Sequence, residues 1–290
     1  MSFARLIRFR DEDGSVRFGE PILENAGETL EDAALQGTLE ATVFDGTDIA
    51  TLTPTSTVAK VKELLPLLNP ADVPIVKCIG LNYIKHIQEG GRKPPPYPSV
   101  FIKPRTSVAG FNEDIPIPKL AQDDQLDYEG ELCIVIGKTG KDIPVSSALD
   151  HIAGFVVAND VSARKWQRDP AFAGGVPQWC FSKGFDKFAP LGPMLVSPKV
   201  VDNAGKLRLQ TWVNGELRQD TNTNDLLFGT EAIVAFVSQG TTLEAGTVIM
   251  TGTPAGVAMG MKEPKWLKDG DVVEVKIEEL GRVRNKMVFE

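Results

Sequence analysis

The sequence predicts a β-rich α+β fold, with a small N-terminal β-containing domain over residues 1–70 and a larger domain over residues 71–290. Three observations predict it. Short apolar and β-branched runs recur between turn residues along the whole chain, the pattern of buried or half-buried strands. Asn214-Gly215 separates two of these runs, a strong two-residue hairpin signal. Strands and helices do not alternate at the length a doubly wound parallel sheet requires.

Taken in order, "FARLIRF" and "ATVFDG" alternate apolar and polar residues over the first 50 positions, as short strands do. "STVAKVKELLPLLNP" reads as a helix that Asn-Pro ends, and "ADVPIVKCIGLNY" as the entry to the main domain. The domain boundary near residue 70 follows from this. "SVFIKP", "YEGELCIVIG", "GFVVAND", "LRLQTWVNGELRQ", "GTVIMTGTPAG" and "DVVEVKIEELGRVRNKMVF" read as strands. Helical stretches fall around "SSALDHI" and "NTNDLLFGTEAIVAFVSQ". His151, where the first of these meets a strand, reads as structural.

Bulk properties exclude several classes. A net charge of −8 disfavours nucleic acid and anionic membrane as partners. Cys78, Cys133 and Cys180 lie far apart with no C-x-x-C, which fits free thiols in a reducing compartment. No apolar run approaches the roughly 18 residues of a membrane span. The N-terminus carries three Arg in its first ten residues, but acids follow at once and no apolar signal core appears. The expected location is cytoplasmic, or mitochondrial by way of a short or unusual leader.

"LDYEGELCIVIG" sets a physical problem, because an apolar run opens on acids that need compensation if buried. On a strand, Glu129 and Glu131 share a face, and Asp127 could join it. A second apolar strand ends in Asn159-Asp160, so three acids could converge. Hard oxygen ligands select Mg²⁺, Mn²⁺ or Ca²⁺ over zinc. Spacing alone leaves open a second arrangement, with both Glu facing solvent on an edge strand.

His86 and Glu89 stand three apart in "GLNYIKHIQEGGRKPPPYPS", on one side of a helical turn followed by Gly-Gly and a Pro-rich stretch. A carboxylate so placed can orient the ring and make it a better base. The same spacing fits a surface turn with an incidental pair. Lys103 in "FIKP" and Lys183 in "SKGFD" fall in strand-to-turn segments, where a Lys usually caps or solvates. Arg164 and Gln167 follow Asp160 closely enough to share its site. "TGTPAGV" lacks G-K-[ST] and is no P-loop, and no G-x-S-x-G elbow is present.

"GLNYIKHIQE", "FIKP", "DYEGELCIVIGK", "AGFVVANDVSARKWQ", "SKGFDKFAPLGP", "VNGELRQ", "TLEAGTVIMTGTPAGV" and "LKDGDVVEVKIEELG" occur in this order over residues 79–281. Together they resemble the fumarylacetoacetate hydrolase superfamily, most of all its domain-containing proteins of the oxaloacetate tautomerase subgroup. The resemblance implies a β-roll-like catalytic domain, a homodimer, and Mg²⁺ or Mn²⁺ (Ca²⁺ being a third option) held by Glu129, Glu131 and Asp160. It also implies a lid bearing His86 and Glu89, catalysis aided by Lys183, and a substrate pocket with Lys103, Arg164, Gln167 and Thr253. The implied chemistry is that of a metal-stabilised enolate of a 2-oxo acid. Oxaloacetate enol–keto tautomerisation is the leading expectation. C–C hydrolysis of acylpyruvates or β-diketones, and oxaloacetate decarboxylation, are the alternatives; a catalytically silent metal- or metabolite-binding protein is the alternative from outside the class.

Overall fold

The computed structural model describes residues 2–23 and 29–290. An antiparallel N-terminal unit comprises β1 (Arg5–Asp11), β2 (Val16–Ile22), β3 (Glu40–Asp45) and β4 (Thr53–Leu65), with a helix α1 (Leu30–Gln36) between β2 and β3. Thr29 caps α1 by accepting the Asp32 amide at 3.1 Å, and Gly37 ends it at φ 68°. This cap-to-glycine signal was present in the sequence, although only strands were expected there.

β4 corrects the helix expected over "STVAKVKELLPLLNP". Residues 53–65 pair with β3 through Thr42↔Val58 and with β1 through Phe9↔Leu64. The Thr and Val residues of this segment fit a pleated surface, and flanking strands on both sides take its backbone hydrogen bonds. A weak helical spacing loses to both.

After this unit come β5 (Val76–Gly80), α2 (Ile84–Glu89) and β6 (Ser99–Lys103). The chain continues through β7 (Gly130–Ile136), β8 (Ile152–Asn159), α3 (Arg164–Arg168), α4 (Trp179–Lys183) and β9 (Ala189–Val196). The hairpin β10 (Arg208–Val213) and β11 (Glu216–Asn222) follows, then α5 (Thr230–Val237), β12 (Val248–Met250), β13 (Val272–Ile277) and β14 (Gly281–Phe289). Asn214 and Gly215 turn the hairpin at φ 50° and 82°, as a type I′ turn requires. Of the two expected helical stretches, "SSALDHI" is a 3₁₀ run, and α5 occupies only part of the other.

Two sheets result. The larger runs β2-β3-β4-β1-β9-β8-β7-β12-β5-β6, so the N-terminal unit continues the main sheet where Leu6 pairs with Leu195. The smaller runs β11-β10-β13-β14 and ends on Ile115–Ile117. Leu132, Ile134 and Ile136 of β7 share one core with Leu209, Val273 and Val275 of the smaller sheet, while Cys133 and Val135 point into a second core. β7 is thus buried on both faces, which accounts for its unbroken apolar run. The fold is the β-rich α+β class expected.

Candidate active site

The acids converge because β7 and β8 are antiparallel neighbours. Gly130 lies opposite Asn159 and Glu131 opposite Ala158, so the start of one strand meets the end of the other. The Asp160 amide donates to the Glu129 carbonyl at 2.8 Å, and Asn159 Oδ1 accepts the Glu129 amide at 2.9 Å. Carboxylate oxygens of Glu129, Glu131 and Asp160 come within 4.8 Å of one another, with all three residues buried. The edge-strand arrangement is therefore not the one adopted. Gly130 separates the two Glu for a steric reason: a Cβ there would stand 2.2 Å from Thr211 Oγ1 and 3.0 Å from Val275. Only glycine lets the smaller sheet approach while both acids project from the opposite face.

Asp127 does not join the three. Its segment pairs with Ser162, which brings its carboxylate to Arg164 Nε at 2.8 Å and beneath the amides of Ala258 and Met259. Asp127 orients Arg164 and pins the 258–259 turn.

Three cations surround the acids. Lys183 Nζ donates to Glu129 Oε2 at 2.8 Å, Asp160 Oδ2 at 2.7 Å and Ser162 Oγ at 2.7 Å. It ends helix α4 rather than sitting in the strand-to-turn segment expected. Arg164 Nη2 pairs with Glu129 Oε1 at 2.6 Å, while its Nη1 donates to Gln167 Oε1 at 3.0 Å. Lys103, expected at the substrate, is fully buried beneath Asp160, donating to Oδ1 at 2.6 Å and to the Phe188 carbonyl.

Four carboxylates, counting Asp127, thus face three cations, and Glu131 is the acid with no ion-pair partner among the described residues. Its carboxylate accepts the Gly252 amide at 2.7 Å. Burial, then Asp160 and Glu129, push the Glu131 carboxyl well above the usual range. Burial pushes Glu129 the same way, but Lys183 and Arg164 outweigh it and bring it down to about 2. Burial works against the Lys183 ammonium, yet Asp160 and Glu129 raise it above its ordinary value. An all-oxygen donor set with one uncompensated buried acid fits a hard divalent cation.

Helix α2 covers this floor. His86 Nδ1 lies 3.2 Å from Glu89 Oε2, and Glu89 Oε1 accepts the Gly256 amide at 3.3 Å. One cavity is lined by His86, Glu89, Glu129, Arg164, Gln167, Lys183 and Thr253, which brings together every expected site residue except the more deeply placed Glu131, Asp160 and Lys103. Thr253 Oγ1 donates to the Gly130 carbonyl at 3.0 Å. His151, read as structural, sits outside, with Nδ1 2.8 Å from the Lys138 carbonyl.

Sequence reasoning missed two buried supports. Gln219 accepts the Gly130 amide and donates to Thr253 Oγ1 at 2.9 Å. Asn82 donates to the Thr251 and Phe228 carbonyls and accepts the Phe228 amide, tying the root of α2 to the strand end beside Glu131. Asn82 stood in the quoted "GLNY", but an amide gives no spacing signal of its own.

The family model for the fumarylacetoacetate hydrolase C-terminal domain matches residues 75–288. Oxaloacetate tautomerase fahd2, mitochondrial, of Xenopus laevis is 43% identical over 225 residues, covering 78% of this chain and 68% of that protein. Oxaloacetate tautomerase FAHD2A, mitochondrial, of Homo sapiens is 43% identical over 230 residues, covering 79% and 70%. Among solved structures, 2-hydroxyhepta-2,4-diene-1,7-dioate isomerase from Mycobacterium marinum superposes with a TM-score of 0.79 at 33% identity, covering 99% of both chains.

Proposed function

The chain belongs to the fumarylacetoacetate hydrolase family, and from that premise we propose a divalent-metal-dependent enzyme that converts enol-oxaloacetate to its keto form. The observation that carries this reading is the buried triad of Glu129, Glu131 and Asp160, whose Glu129 lines one cavity together with the His86–Glu89 pair. Mg²⁺ or Mn²⁺ held by the triad would supply Lewis acidity toward the carboxylate and 2-oxo oxygens of the substrate.

The protein's own residues divide the remaining work. Ketonisation takes the proton from the enol oxygen and places one on the neighbouring carbon. His86 is positioned on the cavity wall to move that proton, with Glu89 fixing the ring through Nδ1. Lys183 and Arg164 balance the charge of Glu129 and Asp160, and Gln167 and Thr253 add polar contacts at the wall. Lys103 acts indirectly, holding Asp160 in place. The tautomerase names of the relatives support this outcome over decarboxylation or C–C hydrolysis. Assembly as a homodimer and a mitochondrial or cytoplasmic location belong to the same proposal, testable by light scattering against the chain mass of 31.5 kDa and by fractionation.

The experiment follows enol-oxaloacetate absorbance beside pyruvate release in Mg²⁺-loaded protein. Accelerated loss of the enol signal without added pyruvate supports tautomerisation. Pyruvate formed in step with that loss supports decarboxylation instead, and no acceleration of either contradicts both.

A further inference from the structure

The cavity wall carries four strong cations, Arg92, Arg164, Arg168 and Lys183, against two acids, Glu89 and Glu129. Arg164 and Lys183 are committed to Asp127, Glu129 and Asp160. Arg92 and Arg168 have no carboxylate partner among the described residues. Arg168 Nη1 donates to the thioether of Met259 at 3.2 Å, a weak acceptor that leaves most of the guanidinium open to solvent or to a ligand. Both are exposed, so the cavity mouth keeps two unmatched positive charges in a chain of net charge −8.

Their placement gives those charges a direction. Arg164 and Arg168 are four apart on α3, so they share a helix face with a rise of about 6 Å between them. Arg164 binds the acid floor, and Arg168 stands one turn nearer the mouth. Arg92 comes from a different element of the same cavity wall, the segment just after α2, with its amide bonded to the Ile87 carbonyl. A four-carbon acid whose 2-oxo-acid end sits at the triad would present its far end to this pair.

Resting on the 2-oxo-acid reading above, we propose that Arg92 and Arg168 form a clamp for the distal carboxylate, which makes the site selective for 2-oxo diacids over 2-oxo monoacids. Guanidinium groups suit the task because they pair with carboxylates in a planar, two-pronged geometry. Arg92 follows the helix bearing His86 and Glu89, so a diacid bridging Arg92 and Arg168 also holds that helix over the floor. A monoacid makes no such bridge.

The test uses Mg²⁺-loaded wild type, Arg92→Met, Arg168→Met and the double variant. Each is titrated with oxaloacetate and with 2-oxobutanoate, which has the same four carbons but a methyl group in place of the distal carboxylate. Each single substitution is expected to weaken oxaloacetate binding about tenfold, and the double by more, with 2-oxobutanoate affinity unchanged within about twofold. Added salt should erode the wild-type preference for the diacid. Equal losses for both ligands, or losses for neither, overturn the clamp. Failure of both ligands to bind the wild type overturns the 2-oxo-acid reading itself, and the clamp with it.

Discussion

Glu131 concentrates the electrostatic problem of the site in one side chain. It is 1% exposed and bonded to the Gly252 amide, with Glu129 and Asp160 as neighbours. Its folded pKa is raised, so its contribution to metal-free stability is fully present below the unfolded value and is lost as pH rises through the folded one. A cation binds the ionised form of the Glu131 carboxylate, the form that burial disfavours. Metal affinity should therefore climb with pH, and uptake should release protons, read by calorimetry in buffers of differing ionisation enthalpy; a pH-independent affinity would contradict this. Glu129 behaves oppositely: with its carboxyl at about 2, its contribution is present above the ordinary carboxylate value and lost only as pH falls toward 2. Glu131→Gln should abolish metal binding while costing metal-free protein no more than about 1 kcal/mol, because it removes no net attraction. Gly130→Ala should cost about 1–3 kcal/mol in denaturant unfolding, since its Cβ must displace Thr211 and Val275. An unchanged midpoint would show that the sheets give way freely.

At the scale of the element, α2 is six residues long, too short to persist without tertiary contacts. Asn82 at its root and the Glu89 contact with Gly256 near its end supply them. His86→Ala should keep metal and oxalate binding yet lose about 10²-fold or more in turnover, the usual worth of a positioned acid or base. Near wild-type turnover would reduce "HIQE" to an ordinary surface turn. Asn82→Ala should loosen the same helix, seen as faster amide exchange over residues 84–89; unchanged exchange would show that Asn82 does not anchor it. The elements also show what a sequence can disclose. Strand periodicity put Glu129 and Glu131 on one face but left open whether that face was buried, and it was the family resemblance that singled out Glu129, Glu131 and Asp160 together. The Asn214-Gly215 turn was legible because few residues accept its dihedral angles. β4 was not, since its pairing with β3 and β1 depends on residues some 15 and some 50 positions away, respectively. Lys103 was read as near the substrate, but its depth beneath Asp160 follows from the packing of β6 and not from its neighbours in sequence.

Across the whole molecule, the smaller sheet packs one face of β7 while the acids leave from the other, so the site inherits its rigidity from both cores. A cation that bound only this folded arrangement would add about 2.7 kcal/mol at a hundred times its Kd. For a chain of this size that is on the order of 5 °C in Tm, reversed by a chelator. The most direct measurement is the number of Mn²⁺ ions bound per chain by metal-stripped wild type, Asp160→Ala, Glu131→Ala and His86→Ala, read by electron paramagnetic resonance. The triad requires one tightly bound ion in wild type and His86→Ala, and none in either acid variant. Retention of that ion by Asp160→Ala or Glu131→Ala, or its absence from wild type, would contradict the assignment of the buried acids as the metal site.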